Sequence, residues 1–216
     1  MPSLFSKLYS WPPKKALYLI IATAGLISVS MYLVMSPIED ELKRTTSYGV
    51  LDIEFMWTDA MAMEIMSAWG PKLIEKELFA TYVDFAFMLG YGTLLSGINL
   101  LLARGLRAKG LVPQANESQV LVLGLLPYAA MFFDAIENIN IIVVLADPSN
   151  PNAFNAMLAS VSATLKFGLL LLSVLFTCFL LLMTLSGKRA RTQGGSNIQP
   201  DRPKRTQQGA RSQAPA

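Results

Sequence analysis

Lys166 stands near the middle of an apolar run from about Ala153 to Leu185, and two other long apolar runs carry Asp84, Asp134, Glu137 and Asn138. Runs of this length cross a bilayer, where each ionised side chain costs about 2.5 to 3.5 kcal/mol on insertion scales. Groups kept at that cost are paired, hydrated or functional. An ammonium among carboxylates can relay a proton, balance a bound cation or stabilise developing charge. One lysine against three acids (Asp84, Asp134, Glu137) also leaves negative charge that a proton, a cation or a cationic ligand would neutralise. The bland alternative is an ion-pair and hydrogen-bond network that only fixes helices together.

Helical spacing shows which of these groups can meet. At about 100° per residue, Asn155, Ala159, Ser162, Ser173, Thr177 and Thr184 fall within roughly 40° of Lys166 on the last run, a polar stripe that should face the bundle interior or a hydrated cavity. Asp84 and Tyr91, seven apart, nearly eclipse, with Asn99 about 60° away and a small-residue face of Ala86, Gly90, Thr93 and Gly97 opposite. Glu137 and Asn138 flank Asp134 at offsets of three and four. Pro127 shares that face and must release the carbonyl of Leu123, which predicts a kink. Counted inward from the expected outer boundary, Asp84 is shallowest, Glu137 and Asn138 follow, and Asp134, Tyr91 and Lys166 lie near the middle. Their depths are compatible with one site.

The elements that must position these groups follow from composition. The 216 residues are 53% hydrophobic and 15% charged, with the charges crowded between apolar runs, which excludes an ordinary soluble domain. Four spans are expected, at about 16–35, 78–103, 120–146 and 153–185, giving an all-α four-helix transmembrane bundle over 16–186. The first run is too long for a signal peptide and lacks a small-x-small cleavage site, so it is expected to remain as an anchor. Basic residues mark one side: Lys7, Lys14 and Lys15 in the N-terminal stretch 1–15, Arg104, Arg107 and Lys109 after the second span, and Lys188, Arg189, Arg191, Arg202, Lys204, Arg205 and Arg211 in the tail. The positive-inside bias then predicts an inner (plasma) membrane protein with both termini cytoplasmic.

Between the first two spans lies an acidic outer segment whose stretch 50–69 lacks proline and glycine until Gly70-Pro71, so an outer-face helix is expected to lie on the membrane or cap the bundle. Met56, Met61, Met63 and Met66 cluster there. Thioethers suit Cu(I), but methionine is also flexible apolar filler and no cysteine or histidine accompanies these four. With no histidine in the chain and one cysteine, Cys178, neither a zinc site nor a disulfide framework is expected; Cys178 is expected to pack as a small hydrophobe. The tail 187–216 turns to Gly, Gln, Ser, Pro, Lys and Arg and is expected to be disordered. No phosphate loop, nucleophile elbow or zinc-protease pattern occurs, the short basic runs do not argue for nucleic acid, and no cofactor is expected.

Glu54 with Trp69, Asp84 with Tyr91-Gly92, Asp134-x-x-Glu137-Asn138 and Lys166, taken together, resemble a pattern in small four-span membrane proteins of bacteria, over about Leu51 to Leu172. The resemblance implies a four-helix bundle and ties these polar positions to one another, with Glu54 and Trp69 as outer-segment members. It brings no activity with it. The expected function is binding, and transport, of a proton, cation or cationic small molecule, with Asp84, Asp134 and Glu137 as acceptors, Lys166 as counter-charge, and Asn138 and Tyr91 orienting the site; a homodimer is compatible with so few spans. The alternatives are an intramembrane lipid-modifying enzyme acting on a lipid from the outer leaflet, and a structural or assembly subunit.

Overall fold

A computed structural model describes residues 11–112 and 116–194, with side chains to Ser186 apart from Glu117. The described chain is helical throughout, without strands: α1 Lys14–Thr46, α2 Val50–Glu54, α3 Asp59–Ala108, α4 Glu117–Gly124, α5 Leu126–Ala146 and α6 Ala153–Gly194. Four helical stretches are long and apolar enough to cross a membrane: Lys14–Thr46, Asp59–Ala108, Ser118–Ala146 and Ala153–Ser186. The span α3 packs against all three others, while α1 packs on α3 and shares no substantial interface with α6.

Small residues let α1 and α3 approach closely. A Cβ on Gly90 would stand 2.9 Å from the backbone nitrogen of Ser28 and 3.1 Å from the carbonyl oxygen of Ala24, and one on Gly97 would meet the side chain of Ile21. Lipid tails are as apolar as leucine, so such close backbone contact, rather than escape from water, holds two helices together in a bilayer. This is the small-residue face read from Ala86, Gly90, Thr93 and Gly97.

Several boundaries differ from the expectation. The first helix runs on through Pro37 to Thr46, since Leu42 on its extension is wholly buried under the outer segment and Lys43 pairs with Glu39 one turn back. Tertiary burial there outweighs the hydrogen bond that a proline removes. The stretch 50–69 is not one helix. It breaks after Glu54, turns at Trp57, whose φ is +54°, and restarts at Asp59 with the Thr58 hydroxyl accepting from Met61 N at 3.2 Å. It caps the bundle, and does not lie flat: Ile53, Met56, Ile65, Met66 and Trp69 form one cluster with Leu42, Val144, Leu145 and Ala159. At Gly70 (φ 65°, ψ 173°) α3 changes direction, and Pro71 opens the arm that descends as a span.

The third span is two helices. Leu125 joins α4 to α5, and Pro127, at the start of α5, is where the backbone N–H is missing. Its carbonyl-releasing effect accounts for the break that the position of Pro127 predicts. Helix α6 continues past Gly187 to Gly194, so the expected disorder does not begin at 187; the rest of the tail, like residues 1–10, lies outside the described residues. Cys178 is exposed on α6, 120° round from Lys166, and is not packed inside.

The α1–α3 seam yields a direct test. Gly90→Ala should destabilise the purified protein by about 1–3 kcal/mol, because backbone and not a flexible side-chain tip must yield. Gly105→Ala, where a Cβ meets nothing within 4 Å, is the control and should keep or raise the thermal midpoint in detergent, since alanine favours a helix over glycine by up to about 1 kcal/mol. Equal midpoints for both variants would rule out the seam.

Candidate functional site

The Lys166 ammonium is 5% exposed and faces carboxylates from two other elements. It donates to Glu137 Oε1 at 2.8 Å and to Glu54 Oε1 at 3.0 Å, and Asp134 Oδ1 stands 3.3 Å away. Asp134 and Glu137 sit one turn apart on α5, so a single face of that helix supplies two acids. Glu54 comes from the end of α2, which the Trp57 turn holds against α6: Trp57 N donates to Ser160 Oγ at 2.9 Å, and Phe55 stacks on Phe167 with ring centroids 5.7 Å apart. The Lys166 Nζ also lies 4.6 Å from the centroid of Phe167, within cation–π range.

Contacts of Asp134 and Asn138 bring in α3. The Tyr91 hydroxyl donates to Asp134 Oδ2 at 2.6 Å, and Asn138 Nδ2 donates to Asp84 Oδ2 at 2.7 Å. The structure thus brings Lys166, Asp134, Glu137 and Tyr91 into direct contact, adds Glu54, and places Asp84 beside them through Asn138. Lys166 contacts Asp134 and not Asp84. Trp69 is elsewhere: its indole Nε1 donates to the Tyr48 carbonyl at 3.2 Å in the outer cluster, so its part is to hold the cap. On α6 the polar stripe faces inward, with Ser162 and Ser173 buried, Asn155 donating to Asn140 Oδ1 at 2.6 Å and Thr177 to Asn99 Oδ1 at 2.7 Å.

Beside Lys166 lies a cavity of about 490 Å³, within the range of sites for small organic molecules. Six carboxylates line it, from Glu39, Asp40, Glu54, Glu77, Asp84 and Asp134, and its one basic residue is Lys166. Tyr32, Phe87, Tyr91 and Phe167 add aromatic surface. Its wall passes from Tyr32, Met35 and Ser36 of α1 to Phe167 and Leu170 of α6, the two helices that do not pack together. The cavity therefore opens sideways between them, past the exposed rings of Tyr32 and Phe167.

Glu77 was not among the residues singled out from sequence, where it counts as one more acid of the outer segment. It is 2% exposed, and its Oε2 has no hydrogen-bond partner among the described residues. Its spacing carried the signal, since 77, 84 and 91 repeat every seven residues and share one helical face. The methionines behave as filler. Met56 and Met66 are buried in the outer cluster, Met61 packs on it, and Met63 is exposed, so the four do not converge as ligands. Among the described residues no three His, Cys, Asp or Glu side chains are arranged to hold a metal ion.

Removing the ammonium strands buried carboxylates, and breaking a buried pair in this way typically costs about 3–5 kcal/mol. Lys166→Met should therefore lower the thermal midpoint and the folded yield, and Lys166→Glu should lower both further. Adding Glu137→Gln to Lys166→Met should recover part of the loss, because one fewer charge is left uncompensated. Strict additivity of the two substitutions in a double-mutant cycle would show that the 2.8 Å contact carries no coupling.

Comparison of the chain with protein-family models, with curated proteins and with solved structures finds no match, so its function has to be argued from the geometry of these residues.

Proposed function

We propose that this is a multi-pass inner-membrane protein, with both termini in the cytoplasm, whose acidic cavity binds and passes on a proton, a cation or a cationic small molecule. The observation that carries this reading is the cavity wall of six carboxylates against one lysine. Lys166 itself exemplifies the preferred occupant: Glu54, Asp134 and Glu137 gather round a primary ammonium beside an aromatic face. That ammonium is already engaged. The acid oxygens left for an incoming cation include Oε2 of Glu77 and Oε2 of Glu54, both without a partner among the described residues, and Asp84, with one oxygen on Asn138. No metal-ligand arrangement includes them, which favours a proton or an organic cation over a multivalent metal ion.

A second reading, an intramembrane lipid-modifying enzyme, draws support from the sideways opening between α1 and α6. Asp84 would serve as general base and Lys166 would stabilise negative charge in the reacting lipid. The three carboxylates round Lys166 count against it, because they already satisfy the charge that an oxyanion would need. A role limited to holding helices together predicts paired charges and no cavity. The unpartnered Glu77 oxygen and the 490 Å³ space speak against that role.

Two measurements follow. Tetrapropylammonium should raise the thermal midpoint of the purified protein where sodium at equal ionic strength and a neutral alkyl alcohol do not, by as much as about 2.7 kcal/mol of stabilisation at a hundred times its dissociation constant. Asp84→Asn and Glu77→Gln should each weaken the effect. If the midpoint responds equally to all three additives, the cavity has no preference for cations and the reading falls. For topology, cysteines at Asp147 and Gly194 in a Cys178→Ser background should label from opposite sides of intact cells, with Asp147 outside. Labelling of both from one side would reverse or remove the proposed orientation.

A further inference from the structure

At the other end of the same helices a second cavity, of about 300 Å³, lies between α1, α3, α4 and the start of α5, walled largely by apolar groups such as Leu17, Ile20, Leu100 and Leu121. Of the polar side chains in that wall, Ser96 and Asn99 are the buried ones with an unpartnered atom. Ser96 and Asn99 are 5% and 1% exposed, and Ser96 Oγ and Asn99 Nδ2 have no hydrogen-bond partner among the described residues, although Asn99 Oδ1 accepts from Thr177. A buried amide left without an acceptor costs about 1–3 kcal/mol, so its N–H points to a missing carbonyl or other oxygen.

Arg104 does not line this space itself but bonds to a residue that does. Its Nη1 donates at 2.7 Å to the carbonyl of Pro12, which itself forms part of the cavity wall. Its Nε and Nη2 are buried without a partner, and no carboxylate pairs with it among the described residues. These two positions form the fork of a guanidinium that matches two oxygens of a phosphate or carboxylate. Asn99 lies five residues deeper on α3, about 7.5 Å at the helical rise. Glycerol esters lie inward of the phosphate in the same order. Trp11 marks the mouth, 70% exposed, as aromatic rings do at headgroup depth.

We propose that this cavity binds one anionic phospholipid of the leaflet on the basic side, with its phosphate on Arg104 Nε and Nη2, an ester carbonyl on Asn99 Nδ2 and one acyl chain between α1 and α4. This site is independent of the acidic cavity and does not rest on how that cavity is read. The lipid supplies a negative charge for a guanidinium and an acceptor for an amide that have none among the described residues, and apolar volume for a largely apolar wall.

The test uses the full chain in nanodiscs of equal phosphatidylglycerol and phosphatidylcholine, released into neutral detergent and weighed by native mass spectrometry. Phosphatidylglycerol should be retained over phosphatidylcholine by about tenfold, because both carry the phosphate but only phosphatidylcholine brings a choline cation against the guanidinium. Arg104→Gln should bring the two lipids to parity. Gly124→Leu, at a position where a Cβ makes only ordinary contact with Asn99 at 3.5 Å, should fill the cavity and lose both lipids. Equal retention by the wild-type chain overturns the proposal without reference to any variant. So does an undiminished preference in folded Arg104→Gln protein, and so does displacement of the lipid by glycerophosphate, which would mean that the site takes a soluble phosphate ester and the acyl chain is idle.

Discussion

An ammonium at membrane depth must be met by carboxylates, and the fold is arranged round that requirement. Lys166 on α6 draws Asp134 and Glu137 from α5 and Glu54 from α2, so three elements are fixed in rotation and depth by one charge. Asp134 in turn accepts from Tyr91, and Asn138 beside it holds Asp84, which ties in α3. In low dielectric each of these contacts is strong only while the others are made, because a half-satisfied polar network is worse than an apolar one. The cap over the outer end follows from the same demand: Glu54 can reach Lys166 only because the backbone turns at Trp57 and returns α3 towards the bundle.

The fold uses two kinds of packing. The cluster from Leu42 to Ala159 is a core of large interlocked side chains. Along the apolar spans small residues replace them, and α1 is held by the approach of Gly90 and Gly97 to Ser28 and Ile21. Because this seam lies on α3 alone, α1 stands clear of α6. The gap between them is what gives the acidic cavity its sideways opening, so a packing preference of small residues sets the route by which an amphiphile could reach Asp84 and Glu77.

Much of this was legible in the residues because membrane burial makes periodicity nearly binding. A polar group has few places to go in lipid, so the stripe through Lys166, the Asp84–Tyr91 pair and the Asp134–Glu137–Asn138 face could be assigned to an interior from spacing alone. The small-residue seam and the break at Pro127 were legible for equally local reasons. What spacing did not show came from tertiary contacts: the extension of α1 through Pro37, which depends on Leu42 being covered, and the split of 50–69, which depends on Ser160 receiving the Trp57 N–H. Glu77 was hidden differently. It sits near the expected water boundary, where an acid is ordinary, and only the path of the Gly70-Pro71 bend turns it inward.

The two cavities lie on the same α3 and have opposite character. One is lined by acids with a single committed lysine; the other is largely apolar, with Arg104 bonded to Pro12 of its wall and otherwise unpartnered among the described residues. Stability alone does not account for either, since a buried ion pair is often replaced by well-packed apolar residues without loss, and an unpartnered carboxylate or guanidinium is worse than a pair. Glu77 and Arg104 each leave a buried polar atom without a partner, at sites roughly 27 residues, or about 40 Å of helical path, apart along one element. One helix thus carries, among the described residues, two buried groups with an unpartnered atom, one lining the acidic space and the other bonded to the wall of the apolar one.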